Sequence, residues 1–184
     1  MRPFFFILIS MILASCVPSV QFSEPMPPKR LNLPNIPKAF RGTIRDEVGA
    51  WQIGKDTVSM GDTVLVNGVD FLLRKMAGSL IVNLPVPETG NYAVVVIQND
   101  GVEMTAHTFE ESPVFLGLAD SILSVSRVTK QAQGTFGWEY HLLAPTAAEF
   151  GQLTQREKMA YDGWRCPLPN GAVVTPSKTR PPTN

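Results

Sequence analysis

Residues 92–107, YAVVVIQNDGVEMTAH, decide the fold class of this chain. An apolar run and an alternating run flank the Asn-Asp-Gly turn at 99–101, whose residues tolerate the positive φ angles of a tight hairpin. The stretch therefore predicts two antiparallel strands, 92–98 and 102–107.

The two predicted strands differ in their side-chain pattern. In the second strand, Val102, Met104 and Ala106 alternate with polar residues, which indicates one face against a core and one against water. In residues 92–97 both alternating sets are apolar, and an antiparallel strand of this kind needs cover on both faces. We therefore expect another layer of structure over the first strand.

Short strands and turn signals alternate upstream of this hairpin. Asn67-Gly68 predicts a second two-residue hairpin, between 63–66 and 69–73. Further strands are expected near 40–46, 50–53, 57–60 and 80–84. The turns between them contain Gly54-Lys55-Asp56, Gly61-Asp62, Ala77-Gly78 and Glu88-Thr89-Gly90. This spacing is typical of a β-meander, here of about seven or eight strands.

Helical spacing appears downstream of the meander. Ser112-Pro113, an N-cap followed by proline, predicts a helix over 113–128. A strand is the alternative for its last turns, because Val125 and Val128 are β-branched. We expect this helix to supply cover for the sheet.

A second helix follows one more strand, which is predicted over 136–144. Thr146 and Glu149 have the spacing of a capping box, so a helix is expected over 147–160, with Phe150 and Leu153 on its apolar side.

These elements predict an α+β, β-rich fold, in which an antiparallel meander forms a partial barrel or sandwich packed by one or two helices. With 44% apolar residues, the chain can bury a core in one globular domain, which we place at 39–163. Residues 17–38 hold six prolines. The segment 16–38 is therefore predicted to be an extended tether, reaching up to about 70 Å. The proline-rich tail 164–184 is predicted to be disordered.

The N-terminus carries an export signal. Arg2 precedes an apolar run from Phe4 to Ala14, broken only by Ser10. The run is far shorter than the roughly 20 residues that span a bilayer, so it is typical of a cleaved signal peptide. The four residues that close it, Leu13-Ala14-Ser15-Cys16, resemble the lipobox of bacterial lipoproteins.

The resemblance implies that residues 1–15 are removed and that Cys16 carries the lipid, including palmitate, that anchors the protein to a membrane. Val17 stands where aspartate commonly retains such proteins at the inner membrane. The periplasmic face of the outer membrane is therefore the expected location. The alternative is an ordinary secretory signal with an incidental Cys16. Lipid on Cys16 leaves Cys166 without an intrachain disulfide partner, so we predict a free thiol or a bridge between two chains.

Charge and motifs argue against several functions. The chain has 16 basic and 16 acidic residues, without the excess of positive charge typical of a nucleic-acid binder. It has no glycine-rich motif for a nucleotide and no Cys-x-x-Cys or His-Glu-x-x-His motif for zinc. We therefore expect no cofactor, no metal, and no nucleic-acid or nucleotide partner.

Few residues are candidates for chemistry or recognition. Glu110-Glu111, close to His107, could form an acid and base pair, but adjacent carboxylates in a polar connector are more often solvated. Tryptophans could line a ligand cleft or pack a core. Trp164 and Cys166 are candidate docking residues, because they lie beside the tail. No catalytic residue is predicted.

The sequence thus favours a lipid-anchored, non-enzymatic binding module whose partner is an envelope protein or a cell-wall component. A lipocalin-like carrier of a small molecule or lipid is the alternative, and an envelope hydrolase comes third. An apolar cavity would favour the carrier, and a flat exposed apolar patch the docking module.

Overall fold

The computed structural model describes residues 18–45, 50–101, 103–109, 111–123, 128–133, 138–156 and 163–167. The helices are α1 (Pro113–Leu123) and α2 (Ala147–Arg156), with a short 3₁₀ helix at Lys38–Phe40. The strands are β1 (Val20–Phe22), β2 (Gly42–Arg45), β3 (Ala50–Ile53), β4 (Thr57–Met60), β5 (Thr63–Val66), β6 (Leu72–Met76), β7 (Ser79–Val86), β8 (Asn91–Asn99), β9 (Glu103–Thr108), β10 (Val128–Gln133), β11 (Trp138–Leu143) and β12 (Gly163–Pro167).

The described strands form two sheets. The larger has the order β10-β11-β1-β8-β7-β6, and β9 joins β8 to β12. The smaller is the meander β2-β3-β4-β5. Strands β1 and β11 run parallel, and the other paired strands run antiparallel. The predicted β-rich α+β class is confirmed, and the sheets form a sandwich-like arrangement that is not closed into a barrel.

The predicted hairpin at 92–107 is confirmed by the antiparallel pairing of β8 with β9. Strand β8 lies in the interior of the larger sheet, between β1 and β7. Val94 and Val96 are buried in the core cluster that also holds Phe115 of α1 and Phe150 of α2. Val95 and Ile97 face the space beneath the smaller sheet. The prediction of cover on both faces is therefore correct: helices cover one face of β8 and the smaller sheet covers the other.

Both predicted helices are present. In α1, the Ser112 hydroxyl accepts a hydrogen bond from the Phe115 N–H at 3.0 Å, which confirms the N-cap. This helix ends at Leu123, and Val128 begins strand β10. The prediction of helix up to 128 is therefore wrong at its end, where the β-branched residue lies in a strand.

The capping box of α2 is also confirmed. Glu149 accepts a hydrogen bond from the Thr146 N–H at 2.7 Å, and Thr146 accepts one from the Glu149 N–H at 3.3 Å. Phe150 and Leu153 are fully buried, as predicted. Residues 157–160, the predicted last turn, lie outside the described residues.

The hairpin predicted at Asn67-Gly68 is wrong. Strand β5 pairs with β4, whereas β6 pairs with β7 in the other sheet. Asp70 holds the connection by accepting a hydrogen bond from the Val66 N–H at 2.7 Å, and the Gly68 N–H donates to the Phe71 carbonyl at 2.7 Å. These hydrogen bonds stabilise a turn that connects the smaller sheet to the larger one.

The tether predicted at 16–38 is also wrong over its described part. Strand β1 inserts between β11 and β8, and its three residues are buried. Met26 and Ile36, which lie farther along the segment, are 0% and 2% exposed. Apolar side chains spaced among the prolines are therefore part of the core.

Two side chains of the larger sheet fasten this proline-rich segment. Asn83, fully buried, accepts a hydrogen bond from the Met26 N–H and donates one to the Met26 carbonyl at 2.9 Å. Arg74 donates to the carbonyls of Pro25 and Pro27 and, at 2.9 Å, to the Asn32 side chain. Burial lowers the pKa of Arg74, and the Glu24 carboxylate opposes that shift. These bonds satisfy backbone groups of the proline-rich segment that lie outside helices and strands.

The predicted tail differs from the structure at its start. Gly163–Pro167 forms β12, which pairs with β9 at the edge of the larger sheet. An unpaired edge of β9 offers backbone donors and acceptors that a following segment can satisfy. Residues 168–184 lie outside the described residues.

Candidate apolar ligand site

A cavity of about 420 Å³ lies between the two sheets and is partly open to solvent. Its lining side chains are hydrophobic, and one of them, Trp51, also carries an indole N–H. They are Ile36, Phe40, Trp51, Ile53, Val58, Leu65, Phe71, Leu73, Leu80, Val82, Leu84, Val95, Ile97, Met104 and Ala106.

Strand alternation builds the wall that the smaller sheet contributes. Ile53 pairs with Val58, and Val58 pairs with Leu65, so the three form one row across β3, β4 and β5. Residues opposite one another in an antiparallel pair project from the same face of the sheet. The row therefore faces the cavity as a unit.

The facing wall comes from rows of the larger sheet. Val82 pairs with Leu73 on β6 and with Val95 on β8. A neighbouring row runs from Leu80 through Ile97 to Ala106. Both rows line the cavity beneath the smaller sheet.

The segment 33–41 bridges the two sheets beside the cavity. The Leu33 N–H donates to the Leu73 carbonyl of the larger sheet at 2.7 Å. The Ile36 N–H donates to the Lys55 carbonyl, in the turn between β3 and β4, also at 2.7 Å. Ile36 thereby places its side chain in the cavity wall, and Phe40 follows it there.

The chemistry of the cavity selects an apolar guest. A polar group moved there from water without a hydrogen-bond partner loses roughly 2–7 kcal/mol, and among the lining side chains only the Trp51 indole carries an N–H donor. The size falls within the roughly 300–1,000 Å³ typical of small-molecule sites. Well-packed interiors contain few voids larger than a water molecule, so a space of this size is unusual for a structural core.

Glu111 pairs with His141, a histidine that its position in the sequence did not suggest. Its carboxylate lies 3.0 Å from Nε2 of His141, which is 7% exposed. The Glu111 N–H also donates to the Ser19 hydroxyl at 3.1 Å, and the His141 N–H donates to the Ser19 carbonyl at 2.7 Å. This cluster joins the start of β1 to β11, and none of its members lines the cavity.

A second, polar pocket lies beside the start of α2. Glu24, Pro28, Lys29 and Arg30 line it together with residues 144–147. The capping box already satisfies backbone N–H groups of Thr146 and Glu149 at this helix terminus.

The residues singled out from sequence fall in different places. Cys16 lies outside the described residues. Trp164 and Cys166 lie in β12, opposite Ala106 and Met104 in the backbone register. Trp51 lines the cavity and also packs against the buried core cluster, so both interpretations of the tryptophans, a ligand cleft and the favoured core packing, remain open for it.

The other lining residues were not identified as a site from sequence. Their alternation identifies buried faces, but it does not state how far apart two buried faces lie. The one sequence signal for a second buried face was residues 92–97, in which both alternating sets of side chains are apolar.

Within the described ranges, no group of three or more His, Cys, Asp or Glu side chains could hold a metal ion. None of the described helices is long and apolar enough to cross a membrane. Comparisons with protein-family models, curated proteins and solved structures gave no match.

Proposed function

We propose that the folded domain binds an apolar small molecule or the hydrocarbon chain of a lipid between its two sheets. The observation that carries this proposal is the 420 Å³ cavity with its almost entirely apolar lining. Such a lining recognises shape and hydrophobicity and offers no group for acid, base or nucleophilic catalysis. The function is therefore binding, as expected of a carrier.

We further propose that the protein is exported and anchored by lipid on Cys16, at the periplasmic face of the outer membrane. The support is the short apolar segment Phe4 to Ala14 and the four residues that end at Cys16. An anchored binding domain would meet apolar ligands where they are concentrated, in or beside the membrane.

Filling the cavity should weaken ligand binding. Val82 lies in the middle of a lining row, so Val82→Phe places an aromatic ring in the space that the ligand needs. We expect the Kd for cis-parinaric acid, followed by its fluorescence in the purified mature domain, to rise at least about tenfold, equivalent to about 1.4 kcal/mol.

Val64→Phe is the matched control for this measurement. Val64 is 55% exposed and does not line the cavity, so its replacement adds the same ring at a surface position. Thermal unfolding of both variants checks that each is folded. Equal Kd values for folded Val82→Phe and for the wild type, or no binding by the wild type, would contradict the proposed function.

The anchor has its own test. Metabolic labelling with an alkyne analogue of palmitate should mark the wild-type protein and leave Cys16→Ser unmarked, because the thiol that accepts the lipid is absent. Cys166→Ser serves as the control and should label like the wild type. Equal labelling of wild type and Cys16→Ser would exclude Cys16 as the lipidation site.

A further inference from the structure

The link between the proposed anchor and the folded domain is short. This inference rests on lipidation of Cys16. Ser19 is three residues farther along the chain, and consecutive Cα atoms are about 3.8 Å apart, so the two Cα atoms are separated by at most about 11 Å. A domain on such a link cannot stand tens of ångströms from the bilayer.

Ser19 itself is held firmly in the fold. Its carbonyl accepts a hydrogen bond from the His141 N–H at 2.7 Å, and its hydroxyl accepts one from the Glu111 N–H at 3.1 Å. Ser19, which we call the anchor point, is thereby fixed to β11 of the larger sheet and to the segment that leads into α1.

An exposed apolar side chain lies beside this anchor point. Val114 is 65% exposed in the first turn of α1, three residues after Glu111. Leu31, Val64 and Val69 are the other large apolar side chains that are exposed among the described residues. Val64, for example, is on strand β5 of the smaller sheet.

We propose that the surface formed by Ser19, Glu111 and Val114 docks on the lipid bilayer that holds the anchor. The short link brings this surface to the headgroups, where the bilayer interface covers the exposed side chain of Val114. The lipid anchor supplies the affinity, and the surface determines the orientation of the domain.

The full mature chain, acylated at Cys16 and reconstituted in vesicles of phosphatidylethanolamine and phosphatidylglycerol, allows a direct test. In a Cys166→Ser background, a nitroxide label is attached at Val114→Cys or, as control, at Val64→Cys. We expect collision with a water-soluble nickel chelate to be at least about fivefold weaker at position 114 than at position 64.

A longer link should remove this protection. Ten Gly and Ser residues inserted between Val17 and Pro18 should make position 114 as accessible as position 64. Mass spectrometry of the N-terminal peptide reports acylation in the same samples. Equal accessibility in the acylated chain without the insertion would overturn the docking inference alone, and an unacylated Cys16 would overturn the anchor as well. Neither result affects binding of cis-parinaric acid to the cavity.

Discussion

A chain that begins at Ala39 is expected not to fold. Strand β1 lies inside the larger sheet, between β11 and β8, so its removal leaves both neighbours with unpaired edges. The same truncation removes Phe22 and Met26, which are 0% exposed. It therefore takes away a central strand and part of the core together.

The magnitudes support complete loss of the fold. Phe22 packs edge to face on Phe109 and Phe150, with ring centroids 5.2 and 5.7 Å apart. Removal of one such buried ring costs about 3–5 kcal/mol, whereas a whole domain is stable by only about 5–15 kcal/mol.

Circular dichroism and urea unfolding of two fragments check this expectation. Fragment 39–184 should lack a cooperative transition, whereas fragment 18–184, which keeps β1, should unfold cooperatively. A cooperative transition of similar midpoint in fragment 39–184 would show that residues 18–38 are a tether after all.

Local signals in the sequence predicted the centre of the fold well. The Asn-Asp-Gly turn at 99–101 joins β8 and β9 as expected, and the Asn99 side chain accepts a hydrogen bond from the Gly101 N–H at 2.8 Å. The two-sided apolar pattern of β8 predicted cover on both faces. Turn chemistry and alternation act over a few residues, so a single sequence can show them.

Pairing between distant segments was not predictable from the same signals. Strand β1 has three residues and pairs in parallel with β11, about 120 residues later. Prolines on its C-terminal side favoured an extended linker, and the buried partner Asn83 lies 57 residues beyond Met26. At Asn67-Gly68, a turn signal was correct, but the choice of strand partner depended on the tertiary structure.

The candidate site was predictable only as buried apolar surface. Rows such as Ile53, Val58 and Leu65 look the same in sequence whether they meet a packed core or a cavity. The distance between the sheets depends on the segment 33–41, which bridges them, and the sequence had indicated that this segment lay partly outside the domain.

Replacement of Asn83 by leucine is expected to destabilise the domain by about 2–6 kcal/mol, because two buried backbone groups of Met26 lose their partners at about 1–3 kcal/mol each. Leucine has a similar size, so loss of hydrogen bonding rather than volume dominates. Asn83 also donates to the Leu72 carbonyl at 3.3 Å, which adds to the loss.

The control for Asn83→Leu is Asn32→Ala. Asn32 accepts a hydrogen bond from Arg74 at an exposed position, where substitutions usually change stability by less than about 0.5 kcal/mol. Urea unfolding of both variants at constant m-value gives the comparison. If Asn83→Leu unfolded at the same urea concentration as Asn32→Ala, the proline-rich segment would not depend on Asn83 for its attachment. The expected result is a midpoint shift for Asn83→Leu several times larger, because only there are backbone groups left buried without partners.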